Sequence, residues 1–193
     1  MKSLRDLNVL DLYGDIFPMI MTQQIRYNNR HRIHNEDLAQ HSFMVAFNIL
    51  KIGYNYPQIP KDKIYKACSM AIVHDAPETF TSDVPHDCKQ KHPELKDMLS
   101  SIEHEFVDNE TPELKELFDE YSTGDSLAAL LVELGDAISV LQYVNREIIH
   151  GNIHEDMQII KNEVSLRIVK LFDKLNKRVK NLSNRKIFRR FGK

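Results

Sequence analysis

The segment Ala71–Pro85, AIVHDAPETFTSDVP, carries four side chains able to bind a metal ion or move a proton: His74, Asp75, Glu78 and Asp83. The run leading into it, Ile64, Ala67, Cys68, Ala71 and Ile72, recurs at helical spacing. Continuing from Ala67, the steps to Ala71, His74 and Glu78 keep that spacing. This predicts a helix over about 61–76 with His74 and Glu78 near its inward face. Polar groups turned inward must find a partner. A shared divalent ion is one partner that satisfies imidazole and carboxylate together.

Two further predicted helices offer matching groups. One starts near Asn35–Asp37, residues suited to an N-cap, and buries Leu38, Val45, Ile49 and Ile52. His41 falls on the same face. Gly53 and the Pro57–Pro60 stretch end it. The other, over about 125–150, is the most apolar in the chain. Leu127, Leu131, Leu134, Ile138 and Leu141 form one face; Val132, Val140 and Tyr143 form a second, and Asp136 lies on that second face. A helix apolar on most sides is central, so this carboxylate needs a partner. Gly135 beside it leaves room for a neighbouring backbone.

Taken singly, these groups have ordinary alternatives: a hydrogen-bonded core histidine for His41, an arginine pair for Asp136, a turn residue for Asp83. Taken together, His41, His74, Asp75 and Asp136 suit a borderline divalent ion (Mn, Fe, Co, Ni or Zn) better than Ca or Mg. Four protein ligands on an octahedral ion leave two positions for water and a substrate oxygen, the layout of a catalytic site. Glu78 is placed to take or give a proton. Asp83 is placed to bond the substrate or protonate a leaving oxygen. The basic segment Arg26–Arg32 precedes His41, and an arginine there can grip phosphate through its planar fork.

The pattern His41, His74-Asp75, Asp136 resembles the signature of the HD-domain phosphohydrolases. The run from His74 through Glu78, Thr81 and Asp83 to Pro85 is similar to the active-site segment of their bacterial 5′-deoxyribonucleotidase branch. Arg26 upstream and Leu134-Gly135-Asp136-Ala137 extend the likeness over roughly 26–144. The resemblance implies a compact all-helical fold, usually oligomeric, that hydrolyses nucleotide phosphate esters. It implies His41, His74, Asp75 and Asp136 as metal ligands and Glu78 as the group that positions or activates water. It implies Arg26 on the phosphate and Asp83 on the sugar side. Where that branch carries a tryptophan crowding the 2′ position of the sugar, this chain has Tyr27.

The rest of the chain fits an all-α single domain, with a core over about 26–150 and a basic C-terminal helix and tail over about 155–193. At 193 residues it is long enough to bury a core. Residues 1–25 predict one or two short helices, with Leu4, Leu7 and Leu10 as apolar positions. Residues 91–121 predict helices broken at Pro93 and Pro112. The last helix carries the stripe Ile160, Val164, Ile168, Leu171, Leu175, Val179 and Leu182, and its outer face reads as solvated and basic. His150 and His154, four apart around Gly151, do not predict a second metal site. His31, His34, His86, His92 and His104 are expected at the surface. A formal charge of −2 argues against a nucleic-acid partner, although Lys161–Lys193 holds twelve Lys/Arg against two acidic residues. Two cysteines give no disulfide framework, and no run approaching a membrane span is expected, which together point to the cytoplasm. The expected reaction is hydrolysis of (deoxy)nucleoside 5′-monophosphates by a homo-oligomer. A deoxynucleoside triphosphate triphosphohydrolase stays open as the alternative, and a non-catalytic metal-binding regulatory module as a remoter one.

Overall fold

The computed structural model describes residues 17–191, with side chains described for 18–180 except 86 and 87. The expectations on Leu4, Leu7, Leu10, the His86 and Leu182 side chains and the end of the basic tail lie outside that range. The described chain is helices joined by turns. They are α1 Phe17–Met21, α2 Leu38–Asn55, α3 Lys61–Val73, α4 Glu78–Thr81, α5 His86–Lys91 and α6 Pro93–Glu110, then a 3-10 turn at Pro112–Leu114, α7 Lys115–Thr123, α8 Leu127–Ile149 and α9 Glu155–Phe191. No strand occurs among the described residues, only an isolated bridge between Ile25 and Asp37.

The centre of the fold is α8. It packs against α2, α3 and α9. Ser126 caps its start by accepting from the Ala129 N–H at 2.9 Å. Its Ala128, Ala129, Leu131, Val132, Leu134 and Ala137 join one apolar cluster with Val45 and Ile49 of α2, Met70 and Ala71 of α3, and Leu171 and Leu175 of α9. By length and composition α8 is apolar enough to cross a membrane, so the expectation that no run reaches that length is corrected. The reason is central packing: 61% of that apolar window is buried inside the fold. The approach of α2 to α8 depends on Gly135, where a Cβ would sit 2.9 Å from the Val45 carbonyl oxygen and 3.0 Å from Ile49 Cγ1.

The third helix is shorter than its spacing predicted. It ends at Val73, and Ile72, expected in its buried stripe, is exposed while Met70 and Val73 are buried. Pro77 has no N–H to continue the ladder onto Val73. The chain tightens instead: Ala76, Glu78 and Phe80 N–H groups donate to Val73, Asp75 and Pro77 carbonyls at 3.1, 3.0 and 2.9 Å. Glu78 therefore starts the separate short helix α4 rather than extending the His74 face.

The basic loop before α2 is tied down by α8. Glu147, fully buried, accepts from the Ile33 and His34 backbone N–H groups at 2.6 and 2.8 Å and from the Asn152 amide at 2.8 Å. Tyr143 Oη donates to the His34 carbonyl at 2.9 Å.

Replacing Gly135 by alanine sets two effects against each other. Helix propensity alone favours alanine by about 1 kcal/mol, whereas the added methyl meets a backbone oxygen and must push α2 from α8, at about 1–3 kcal/mol. G135A is expected to be net destabilised, read as a lower urea midpoint.

Candidate active site

The predicted ligands converge from α2, the end of α3 and α8. His41 Nε2 lies 3.4 Å from Asp75 Oδ2 and 3.3 Å from Asp136 Oδ1. His74 Nε2 lies 3.3 Å from Asp75 Oδ1. Ligand atoms of His41, His74 and Asp136 all fall within 4.8 Å of one another. Both imidazoles are buried, and their outer nitrogens are engaged: His74 Nδ1 with the Ala71 carbonyl at 2.8 Å, His41 Nδ1 with Ser139 Oγ at 3.3 Å. A His74 Nδ1–H donated to Ala71 leaves the Nε2 lone pair facing the cluster. Neither Nε2 has a hydrogen-bond partner in the protein. Two unpartnered, inward-facing imidazole nitrogens beside two carboxylates fit a divalent transition ion.

The charge states agree with that donor set. Burial, reinforced by the Arg26 charge, holds the His41 pKa down, so its imidazole stays neutral and able to ligate. Burial pushes Asp136 up, but contact with the His41 imidazole and the charge of Arg167 outweigh it and hold the carboxyl well below its usual range. Asp75 is also lowered: burial opposes, and His74, His41 and Arg26 prevail.

Around this cluster stand the other predicted groups. Arg26 is buried, with Nη1 3.7 Å from Asp75 Oδ2 and Nε 4.0 Å from Asp83 Oδ2. Its Nε and Nη1 lack hydrogen-bond partners. Asp83 Oδ2 also accepts from the Tyr27 backbone N–H at 3.4 Å, so the loop after α4 clasps the Arg26-Tyr27 pair. Tyr27 takes a left-handed backbone at φ 58° and stacks on Tyr143, with ring centroids 4.4 Å apart and planes 2° from parallel. That conformation is unusual for an aromatic residue. Glu78 is buried, and burial together with Asp75 raises its pKa well above the ordinary value against the pull of Lys89. Its Oε2 has no partner, while Lys89 Nζ lies 3.3 Å from Oε1.

Five neighbours were not singled out in the sequence. Glu36 lies 3.9 Å from His41 Nδ1, and in the sequence it signals only a helix start. Ser139 could have been found, since it sits three residues after Asp136 on the same helix. Tyr121 packs edge-on to His74 with centroids 5.5 Å apart. Lys89 and Arg167 carried no signal beyond charge; Arg167 Nη1 donates to Asp136 Oδ2 at 3.1 Å. The surface expectation fails in part at His34 and His104, which are half-buried.

With this geometry in hand, the family model described as 5′-deoxynucleotidase YfbR-like matches residues 18–184. The chain belongs to the YfbR-like 5′-deoxynucleotidase family. A dATP triphosphohydrolase of Cyanophage S-2L is 41% identical over 59 residues, a match that spans 31% of this chain and only 30% of that relative's length. Two solved structures share the fold. An HD-domain phosphohydrolase from Listeria innocua superposes with a TM-score of 0.70 at 18% identity, covering 92% of this chain and 87% of that one. The Cyanophage S-2L HD phosphohydrolase, bound to dA and one catalytic Zn2+ ion, gives 0.63 at 19% identity, covering 86% and 96%. The all-α HD-type architecture expected for this YfbR-like chain is thus observed.

Glu36 gives a pH test. Burial raises its carboxyl from 4.5 to about 7 against the pull of Arg26 and Arg146. The folded state then binds more protons than the unfolded state between those values, so stability falls as pH rises through that window. In metal-free protein the E36Q variant should gain on wild type from pH 5 to pH 8, by at most about 3 kcal/mol. Urea unfolding at both pH values reads it.

Proposed function

We propose that this protein is a metal-dependent nucleotide phosphohydrolase that hydrolyses (deoxy)nucleoside 5′-monophosphates to nucleoside and phosphate. The observation that carries the reading is the set of inward-facing atoms without protein partners: His41 Nε2, His74 Nε2, Arg26 Nε and Nη1, and Glu78 Oε2. They are the donor set, the phosphate grip and the base that such a reaction needs, held in one place by different elements.

His41, His74, Asp75 and Asp136 hold one divalent transition ion of the Mn, Co, Fe, Ni or Zn type. When bound, such an ion supplies Lewis acidity toward a phosphoryl oxygen and acidifies water. Arg26 offers its buried guanidinium to the phosphate, where a charge-assisted hydrogen bond gains from exclusion of water. Glu78, its pKa raised by burial and by Asp75, takes a proton from the attacking water. The water oxygen bonds to phosphorus, the bond to the 5′ oxygen breaks, and that oxygen leaves with a proton. Asp83 lies on the sugar side, holding the Tyr27 backbone and a proton-donor position. Tyr27, fixed by its stack on Tyr143, bounds the sugar pocket.

The dATP triphosphohydrolase likeness favours a second reading, release of triphosphate from deoxynucleoside triphosphates. Exposed Phe43, Phe47, Leu50 and Tyr54 at helical spacing along α2 support a homo-oligomer. The free thiols of Cys68 and Cys88 support a cytoplasmic setting. The charge balance still speaks against nucleic acid as a partner.

Metal-loaded protein given dAMP should release free phosphate. Intact triphosphate from dATP, without turnover of dAMP, would establish the second reading instead. H41A and D75A should lose both metal and turnover. E78Q should keep the metal and lose about 10²–10⁴-fold in kcat; wild-type turnover in E78Q would remove Glu78 from the mechanism.

A further inference from the structure

We infer that Arg167, on the outer face of the C-terminal helix α9, is a positioning residue for the metal site: it fixes the orientation of Asp136 through Oδ2 so that Oδ1 is presented to the ion. This rests on the reading of Asp136 as a ligand given above. Arg167 Nη1 donates to Asp136 Oδ2 at 3.1 Å, while Asp136 Oδ1 faces His41 Nε2 at 3.3 Å. The two oxygens are thereby divided, one toward the helix and one toward the cluster. A carboxylate rotates over a broad, two-fold χ2 well, and packing alone does not distinguish its oxygens. A hydrogen bond from a neighbouring helix does.

The pair is not an ordinary surface ion pair. Arg167 is 44% exposed, but its partner is only 15% exposed and is held inside the cluster. The groups facing Asp136 are His41 and Arg167 in contact, with His74 and Tyr121 close by. The buried Arg26 charge also reaches Asp136, but among the described residues Arg167 is the cation that hydrogen-bonds it. Arg167 also ties α9 to α8 across their packed faces, so α9 has a role in the site that a solvated basic face would not have.

Two effects of the guanidinium oppose each other. As a positive charge it repels a cation bound nearby. As a donor it holds the ligand in place, and hydrogen-bond partners of metal ligands typically matter by 10–100-fold in metal affinity. Half-exposure screens the first effect more than the second. Orientation is therefore expected to win.

Competition of the full-length protein with a chelator for Zn or Mn reads the outcome. R167A should bind the metal about 10–100-fold more weakly, R167Q should behave alike, and R167K should fall between R167A and wild type. At saturating metal, kcat and KM of R167A for dAMP should return to within about threefold of wild type, which a variant with a damaged fold would not do. Affinity in R167A and R167Q equal to or tighter than wild type overturns the inference, as does a loss of turnover that saturating metal does not restore. If R167A fails to fold, R167Q and R167K decide by the same measure. D136A and H41A run alongside: if they retain wild-type metal affinity, the ligand assignment itself fails, and that result is distinct from failure at Arg167.

Discussion

Two imidazoles are buried with their outer nitrogens already bonded and their inner nitrogens unsatisfied. The rest of the molecule is arranged around that constraint. A buried polar atom without a partner costs free energy on the order of 1–3 kcal/mol, and among the described residues most side-chain atoms of this kind gather in one neighbourhood, on Arg26, Tyr27, Glu36, His41, His74 and Glu78. An apolar core would have been more stable locally. In the proposed function something from outside the chain satisfies them, an ion for the nitrogens and an anion for the guanidinium.

The helix α8 carries most of the consequences. It supplies Asp136 to the cluster, Ser139 to the back of His41, and Gly135 to the close approach of α2. One end further along, Glu147 and Tyr143 pin the loop that aims Arg26. The proposed ligand, its support and the proposed phosphate grip are thus indexed to a single rigid rod. This is how loops on either side of it can hold charged groups a few ångströms apart without a covalent tie.

The sequence was most legible where chemistry and helical period coincide. His41, His74 and Asp136 stood out because each interrupts an apolar face and Asp75 because it adjoins His74, and the helices around α8 followed from the same 3.6-residue repeat. It was less legible where backbone chemistry overrode the period. Pro77 ends α3 early, so Glu78 reaches the site by a tight turn that no periodicity describes. The groups behind the ligands were least legible. Glu36 reads as a helix cap, Glu147 and Arg167 as solvent-facing charges, and Lys89 as one basic residue among several. Their roles come from how turns and neighbouring helices fold back on the site, which a single sequence does not display.

The central claim is that these two imidazoles and two carboxylates share one ion. X-ray absorption at the metal edge of the Zn- or Mn-loaded protein tests it most directly. The account predicts a nearest shell of nitrogen and oxygen only, with the outer-ring scattering of about two imidazoles, cut to about one when His74 is replaced by alanine. A shell containing sulfur, a shell with no imidazole scattering, or a spectrum unchanged in H74A would contradict it.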